Sequence, residues 1–220
     1  MEPMSVPAKV AMGLGGAGVM GTGCYFAASN LSSSEKPKEK VSSRLIKGGF
    51  ELLNFESETS VSQNWKDILT EYKKQETGSE KFSLTLDTSG SDEEKKNVDF
   101  LKGACKTLVD SEDESDGAYI KARRWCVVPK TVKEIFSKLN KKVLKNESSG
   151  SEDNDVWKLK IGKYDHSKLP LSGITWPSTG DDQKVSELKK GCKTLLEKTT
   201  KTYSKDFTTE YDTGISWCVA

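Results

Sequence analysis

Leu101-Lys102-Gly103-Ala104-Cys105-Lys106-Thr107-Leu108 and Leu188-Lys189-Lys190-Gly191-Cys192-Lys193-Thr194-Leu195 are identical at six of eight positions and lie 87 residues apart. Self-similarity of this kind marks a repeated supersecondary unit. Working outward, Trp125-Cys126-Val127 recurs as Trp217-Cys218-Val219, at a spacing of 92. Trp65 and Tyr72 find Trp157 and Tyr164, and Asn54 finds Asn146, at the same spacing of 92. Two compensating length changes of five residues, one on each side of the Leu-Lys-x-x-Cys block, reconcile the two spacings. Such changes belong in loops. The sequence therefore predicts one module over 41–128 and a second over 129–220, joined at Pro129. The polar run Asn146-Glu147-Ser148-Ser149-Gly150-Ser151-Glu152-Asp153 is then a loop inside the second copy.

Helical spacing is clearest inside the matched blocks. Trp65, Ile68, Leu69 and Tyr72 fall at i, i+3, i+4 and i+7, one face of a helix. Val98, Leu101, Cys105 and Leu108 form a second stripe, with Ser91 or Asp92 as N-cap and Glu93 and Glu94 in the first turn, where they complement the dipole. Val185, Leu188, Cys192 and Leu195 repeat it after Asp181 and Asp182. Val132, Ile135, Phe136, Leu139 and Val143 predict a helix opening the second module; its counterpart through Val41, Leu45, Phe50 and Leu52 is interrupted by Gly48-Gly49. Phe82, Leu84 and Leu86 alternate as a short strand would. Each module is thus expected to be mainly α, about three helices ending in an extended Trp-Cys-Val segment. Trp65, Trp125, Trp157 and Trp217 recur in register and are expected as core anchors. Trp176 has no copy and is the better choice for an exposed contact.

Four of the five cysteines fall at equivalent places, Cys105 with Cys126 and Cys192 with Cys218. They either pair within each module or stay as buried thiols in a reducing interior. Pairing by module favours a disulfide in each, which would add about 3 kcal/mol by loop-closure entropy and implies an oxidising compartment. No C-x-x-C knuckle or His spacing suggests zinc.

Lys and Arg number 34 against 33 Asp and Glu, so no global field draws the chain to nucleic acid. Charged residues make up 30% of the chain and mean hydropathy is −0.62, a solvated surface with apolar residues concentrated locally. The single histidine, His166, lies between Asp165 and Ser167 and is expected to be exposed and polar. Acidic pairs such as Asp181-Asp182 and Glu112-Asp113 occur in solvated runs without a partner nucleophile or ligand set, which disfavours a hydrolase. No cofactor is implied.

Val10 to Ala28 contains no charge, and as a helix those nineteen residues would span about 28 Å, close to a bilayer core. Residues 1–30 are accordingly expected to be a transmembrane helix or signal anchor and 31–40 a polar linker. Gly13-Leu14-Gly15-Gly16-Ala17-Gly18 matches a dinucleotide fingerprint, but the polar stretch after it lacks the required second strand. Cleavage as a signal peptide competes with retention, although the charged n-region is poor. Cys24, closing Gly21-Thr22-Gly23-Cys24, offers a lipidation position that lacks the usual Leu three residues earlier. Lys36, Lys38, Lys40, Arg44 and Lys47 follow the segment, so the positive-inside rule would place the body in the cytoplasm. The cysteine pairs argue for the opposite side.

The small-residue segment, the Ser/Lys linker, the Leu-Lys-x-x-Cys block and the closing Ile215-Ser216-Trp217-Cys218-Val219-Ala220 resemble the lineage-specific paralogous membrane-anchored proteins of haemotropic mycoplasmas. That resemblance implies a wall-less bacterium, a single plasma membrane and surface display, and it brings no activity or site residues with it. The expected protein is a single-pass surface protein of the plasma membrane with its body outside, an interaction or antigenic module without catalysis. Its expected partners are the membrane and a host-surface or extracellular protein. A cytoplasm-facing structural protein is the competing expectation.

Overall fold

The computed structural model describes residues 38–56, 60–75, 78–139, 141–147 and 150–220. The expected membrane segment, Cys24 and nearly all of the linker lie outside them. Among the described residues there are eight α-helices and no strand. They are α1 (Val41–Lys47), α2 (Gln63–Lys74), α3 (Glu93–Asp110), α4 (Asp116–Trp125), α5 (Val132–Phe136), α6 (Asn154–Ile161), α7 (Asp181–Leu196) and α8 (Phe207–Trp217). The expected mainly helical class is what is seen. No helix among the described residues is long and apolar enough to cross a membrane.

The large-residue stripes become the buried faces. On α2, Trp65, Ile68, Leu69 and Tyr72 are all buried, and on α3 and α7 so are Leu101, Cys105, Leu188 and Cys192. Glu93 and Glu94 stand in the first turn of α3, Asp181 and Asp182 in that of α7, where carboxylates meet the positive end of the dipole. Thr131 and Glu134 close a capping box on α5. The Glu134 carboxylate accepts from the Thr131 N–H at 2.6 Å and from Lys201 at 3.0 Å, which lowers its pKa from 4.5 to about 2. A depressed carboxylate stabilises the fold above its unfolded pKa and loses that contribution as pH falls toward the folded value. Unfolding measured from pH 5 down to pH 2 is therefore expected to show a shallower acid loss for Glu134→Gln than for the wild type, and identical slopes would contradict it.

Contacts recur in the same pattern before and after Pro129. Helix α3 packs on α1, α2 and α4, and α7 packs on α5, α6 and α8; α1 lies on α4 as α5 lies on α8. Leu52 bridges Val127, and Val143 bridges Val219. The Leu53 N–H donates to the Cys126 carbonyl as Leu144 does to that of Cys218. The Trp65 indole donates to the Asn54 carbonyl and the Trp157 indole to that of Lys145, each at 3.0 Å. Lys145, not Asn146, thus stands where Asn54 stands, because the bridge fixes a register one residue shorter than the spacing of the tryptophans. The loop between α3 and α4 covers 111–115, that between α7 and α8 covers 197–206, five residues against ten.

One buried cluster runs through both halves, and the described residues belong to a single compact unit spanning Pro37–Ala220, without a break at Pro129. At the seam Phe50 meets Tyr211 at 5.1 Å between ring centroids, and Tyr211 donates its hydroxyl to the Gly48 carbonyl at 3.1 Å. Buried Arg123 reaches Asp212 at 3.4 Å. Gly214 makes a close approach there: a Cβ on it would sit 2.8 Å from the Phe136 ring. The first half carries the smaller Leu45 and the larger Ala122 at the matching places. For Gly214→Ala, overpacking of about 1–3 kcal/mol outweighs a helix-propensity gain of about 1 kcal/mol. The melting temperature is expected to fall, and adding Phe136→Leu is expected to restore it. A melting temperature raised by Gly214→Ala alone would contradict this packing.

Several expectations are corrected. Among the described residues each half has four helices, not three, and Trp125 and Trp217 end helices α4 and α8 instead of lying in extended segments. The apolar positions of α4 before Trp125 are Ala118 and Ala122, too small to raise a visible stripe, whereas α8 buries Phe207 and Tyr211 four residues apart and continues with Gly214, where the stripe breaks. The stripe from Val132 to Val143 is not one helix. It stops at Phe136, because Val143 is drawn into the bridge with Val219, where the Ala220 N–H donates to the Lys142 carbonyl at 2.8 Å. Phe82, Leu84 and Leu86 are half-buried and alternate with exposed Ser83 and Thr85, yet this tract pairs with no strand. Its backbone is held by Tyr72, whose hydroxyl donates to the Phe82 carbonyl at 2.7 Å, and Asn97, whose side-chain oxygen accepts the Asp87 N–H at 2.7 Å.

Candidate functional site

The expected cysteine pairs are made. Cys105 is bonded to Cys126 with 5.3 Å between Cα atoms, and Cys192 to Cys218 with 5.5 Å. Each ties the middle of the long helix to the residue capping the last one. The four recurring tryptophans are buried around these bonds, at 9% exposure or less. Tyr72 meets Trp125 edge to face at 5.0 Å, and Tyr164 meets Trp217 at 4.9 Å. The Trp125 indole donates to the Glu80 carbonyl at 2.6 Å, and that of Trp217 to the Leu169 carbonyl at 2.9 Å. These side chains are therefore scaffold. Trp176 is half-buried instead of exposed, tilted on Tyr164 at 4.6 Å with exposed His166 at 5.7 Å.

The Lys of each Leu-Lys-x-x-Cys block is also structural, a role its charge conceals. Lys102 and Lys189 are 4% and 3% exposed. Lys102 donates to the Glu56 carbonyl at 2.7 Å, and Lys189 to the Gly150 carbonyl at 2.6 Å and the Asn154 side chain at 2.9 Å. A buried ammonium satisfied by loop carbonyls holds the loop before α2 or α6 onto the long helix. Its repetition at the same place in both blocks was the only sequence signal.

The halves differ on one face of the long helices. Next to α3 lies an open groove of about 660 Å³, floored by Gly103, Ala104 and Leu108 and walled by Phe82, Leu84 and Phe100. Phe100 is 47% exposed, one of few large apolar side chains so placed. On α7 the same face is closed, because Leu171 and Ile174 lie over Gly191, where a Cβ would meet them at 2.7 and 2.8 Å. Ala104 and Leu108 are half-buried, whereas their counterparts Gly191 and Leu195 are buried. Asp99, Asp113 and Lys121 also line the groove. Asp113 is held below the usual carboxylate range by hydrogen bonds from the Ser115 hydroxyl and N–H, so it is charged at neutral pH.

No family model, curated protein or solved structure matches this chain. Whatever the chain does must be argued from its own surfaces. Among the described residues no group of three or more His, Cys, Asp or Glu is placed to hold a metal ion. The acidic pairs singled out in the sequence are exposed: Asp181 and Asp182 open α7, and Glu112 and Asp113 lie in the loop before α4. The apolar groove, mounted on a disulfide-tied helix, is a surface that could bind.

Proposed function

We infer that this is a membrane-anchored surface protein built from two copies of one disulfide-tied four-helix module, serving as an interaction protein without catalysis. The observation that carries the interaction role is the open groove beside Phe100, facing solvent where the second half lays its own Leu171 and Ile174. An apolar groove left uncovered on one of two like frameworks, where the other covers the same face with Leu171 and Ile174, suits a partner bringing branched aliphatic side chains on an extended segment. The recurring bridges, indole hydrogen bonds and helix contacts support the duplicated module. Two buried disulfides support an oxidising compartment, and the uncharged run Val10 to Ala28 supports the tether. The resemblance to surface paralogues of haemotropic mycoplasmas agrees with both.

Phe100→Lys tests the groove, since lysine keeps helix propensity and the side chain is half in solvent. The melting temperature is expected to stay nearly unchanged, with stability within about 0.5 kcal/mol. Binding of the purified protein to host cells is expected to fall at least about tenfold, as removal of a central aromatic contact does. Undiminished binding would remove the groove from the account. Protease treatment of intact cells tests placement: survival of the body under conditions that digest other surface proteins would contradict display.

A further inference from the structure

The geometry points to a binding site for a tetrahedral oxyanion, the phosphate or sulfate group of a monoester, in the cleft between residues 74–75 and 78–81 on one side and the start of α8 on the other. The cleft holds about 640 Å³ and is lined by Lys74, Lys81, Arg124, Lys205, Thr208 and Thr209, with Glu80 the one carboxylate among the described residues of its walls. It is a different surface from the Phe100 groove and does not depend on that role.

Arg124 is the reason to look here. It is 6% exposed, and its guanidinium lies 4.8 Å over the Trp125 ring. Nη1 donates to Glu80 Oε2 at 2.6 Å and Nε to the Tyr203 carbonyl at 3.1 Å. Nη2 is buried and has no partner among the described residues. A buried cationic donor left unsatisfied is costly, and in native proteins such a group commonly answers to an absent water or ion. Ser216 stands at the matching place in the second half, so the arginine is not part of the framework that recurs.

The surroundings favour an anion. Thr208 and Thr209 stand in the first turn of the eleven-residue α8, where backbone N–H groups lack an acceptor one turn back and the dipole is positive. The N-cap, Asp206, makes no side-chain hydrogen bond to that turn. Lys205 is exposed and forms no ion pair among the described residues, whereas Lys74 is engaged by Glu71 at 2.7 Å and Lys81 donates to the Gln75 carbonyl at 2.7 Å. The Phe207 N–H is taken by the Ser204 carbonyl, so the free donors are Arg124 Nη2, Lys205 and the N–H groups of Thr208 and Thr209. A guanidinium edge with a helix N-terminus and an ammonium matches the several oxygens of a phosphate or sulfate group. The cleft is larger than one such group, which leaves room for the alcohol part of an ester. Glu80 holds the guanidinium in the absence of ligand and opposes a second negative charge, so it and the anion compete for Arg124.

That competition supplies the test. The full-length chain is titrated with inorganic phosphate and, separately, inorganic sulfate at constant ionic strength, following the Trp125 indole and the Thr208 and Thr209 amides by NMR. Saturable shifts at these three groups are expected with at least one anion, and which one binds tighter distinguishes a phosphate from a sulfate source. Lys205→Ala, at an exposed position, is expected to weaken binding about threefold to fivefold. Glu80→Gln, which keeps the hydrogen-bond acceptor and removes the charge, is expected to tighten it by a similar factor. A merely structural arginine would respond to neither anion. Absence of saturable shifts with both anions, or an affinity unmoved by either variant, overturns the site.

Discussion

Trp125→Ala is expected to lower the stability of the fold by about 3–5 kcal/mol, the range for truncating a fully buried tryptophan. The side chain has no exposed surface. Its loss opens a cavity against Tyr72 and takes the cation-bearing Arg124 off its ring. It also strands the Glu80 carbonyl, which accepts the indole N–H, and an unsatisfied polar group adds about 1–3 kcal/mol wherever water cannot reach it. A domain of this size has about 5–15 kcal/mol in total, so the variant is expected to melt far below the wild type or to fail to fold. Denaturant titration by tryptophan fluorescence and circular dichroism checks this. A loss under about 1 kcal/mol would mean that Trp125 is not the anchor its position implies. The same reasoning applies to Trp217, whose indole holds the Leu169 carbonyl.

Removing both disulfides is the second large effect. The bonds close loops with sequence separations of 21 and 26 residues. Chain-entropy arithmetic gives about 3.5 kcal/mol for each, nearly the same because the dependence on length is logarithmic. Cys105→Ser with Cys126→Ser, or Cys192→Ser with Cys218→Ser, is each expected to shift the unfolding midpoint strongly. Losing both bonds removes about 7 kcal/mol, a large part of the whole. Because one buried cluster joins the halves, losing either bond is expected to destabilise the entire body in one transition. Two separated transitions, one insensitive to the bond removed, would show instead that the halves unfold independently. Reducing agent on the wild type is expected to act like the quadruple variant.

Where large apolar residues recur at helical spacing, the fold was legible, as at Trp65 to Tyr72 on α2 and Val185 to Leu195 on α7. The cysteine partners were legible too, because two pairs sat in matching order. Helices α4 and α8 were not. The buried face of α4 uses Ala118 and Ala122 with buried Arg123 and Arg124, residues too small or too charged to leave a hydrophobic period, whereas α8 buries Phe207 and Tyr211 at i and i+4 and its stripe is broken only where Gly214 stands at i+7. The tract from Phe82 to Leu86 showed the alternation of a strand and has it in burial, but strand formation needs a neighbour whose backbone groups are free, which no local pattern reveals. The groove beside Phe100 was hidden for a different reason: it exists because Leu171 and Ile174 close over Gly191 in one half only. One signal was available, the exchange of Ala104 for Gly191 in mid-helix. Glycine costs about 1 kcal/mol there, and so marks a close approach. Nothing in the sequence singled out Arg124, whose interest lies wholly in what its guanidinium fails to meet.

The central claim is that each half of the body is tied by its own disulfide and that the body matures in an oxidising compartment. Non-reducing peptide mapping by mass spectrometry, on protein taken from freshly alkylated cells, tests it most directly. The account predicts two crosslinked peptides, Cys105 with Cys126 and Cys192 with Cys218, and no crossing between the halves. Recovery of all four cysteines as alkylated free thiols would contradict it and would place the body on the cytoplasmic side that the lysines after the N-terminal segment suggest.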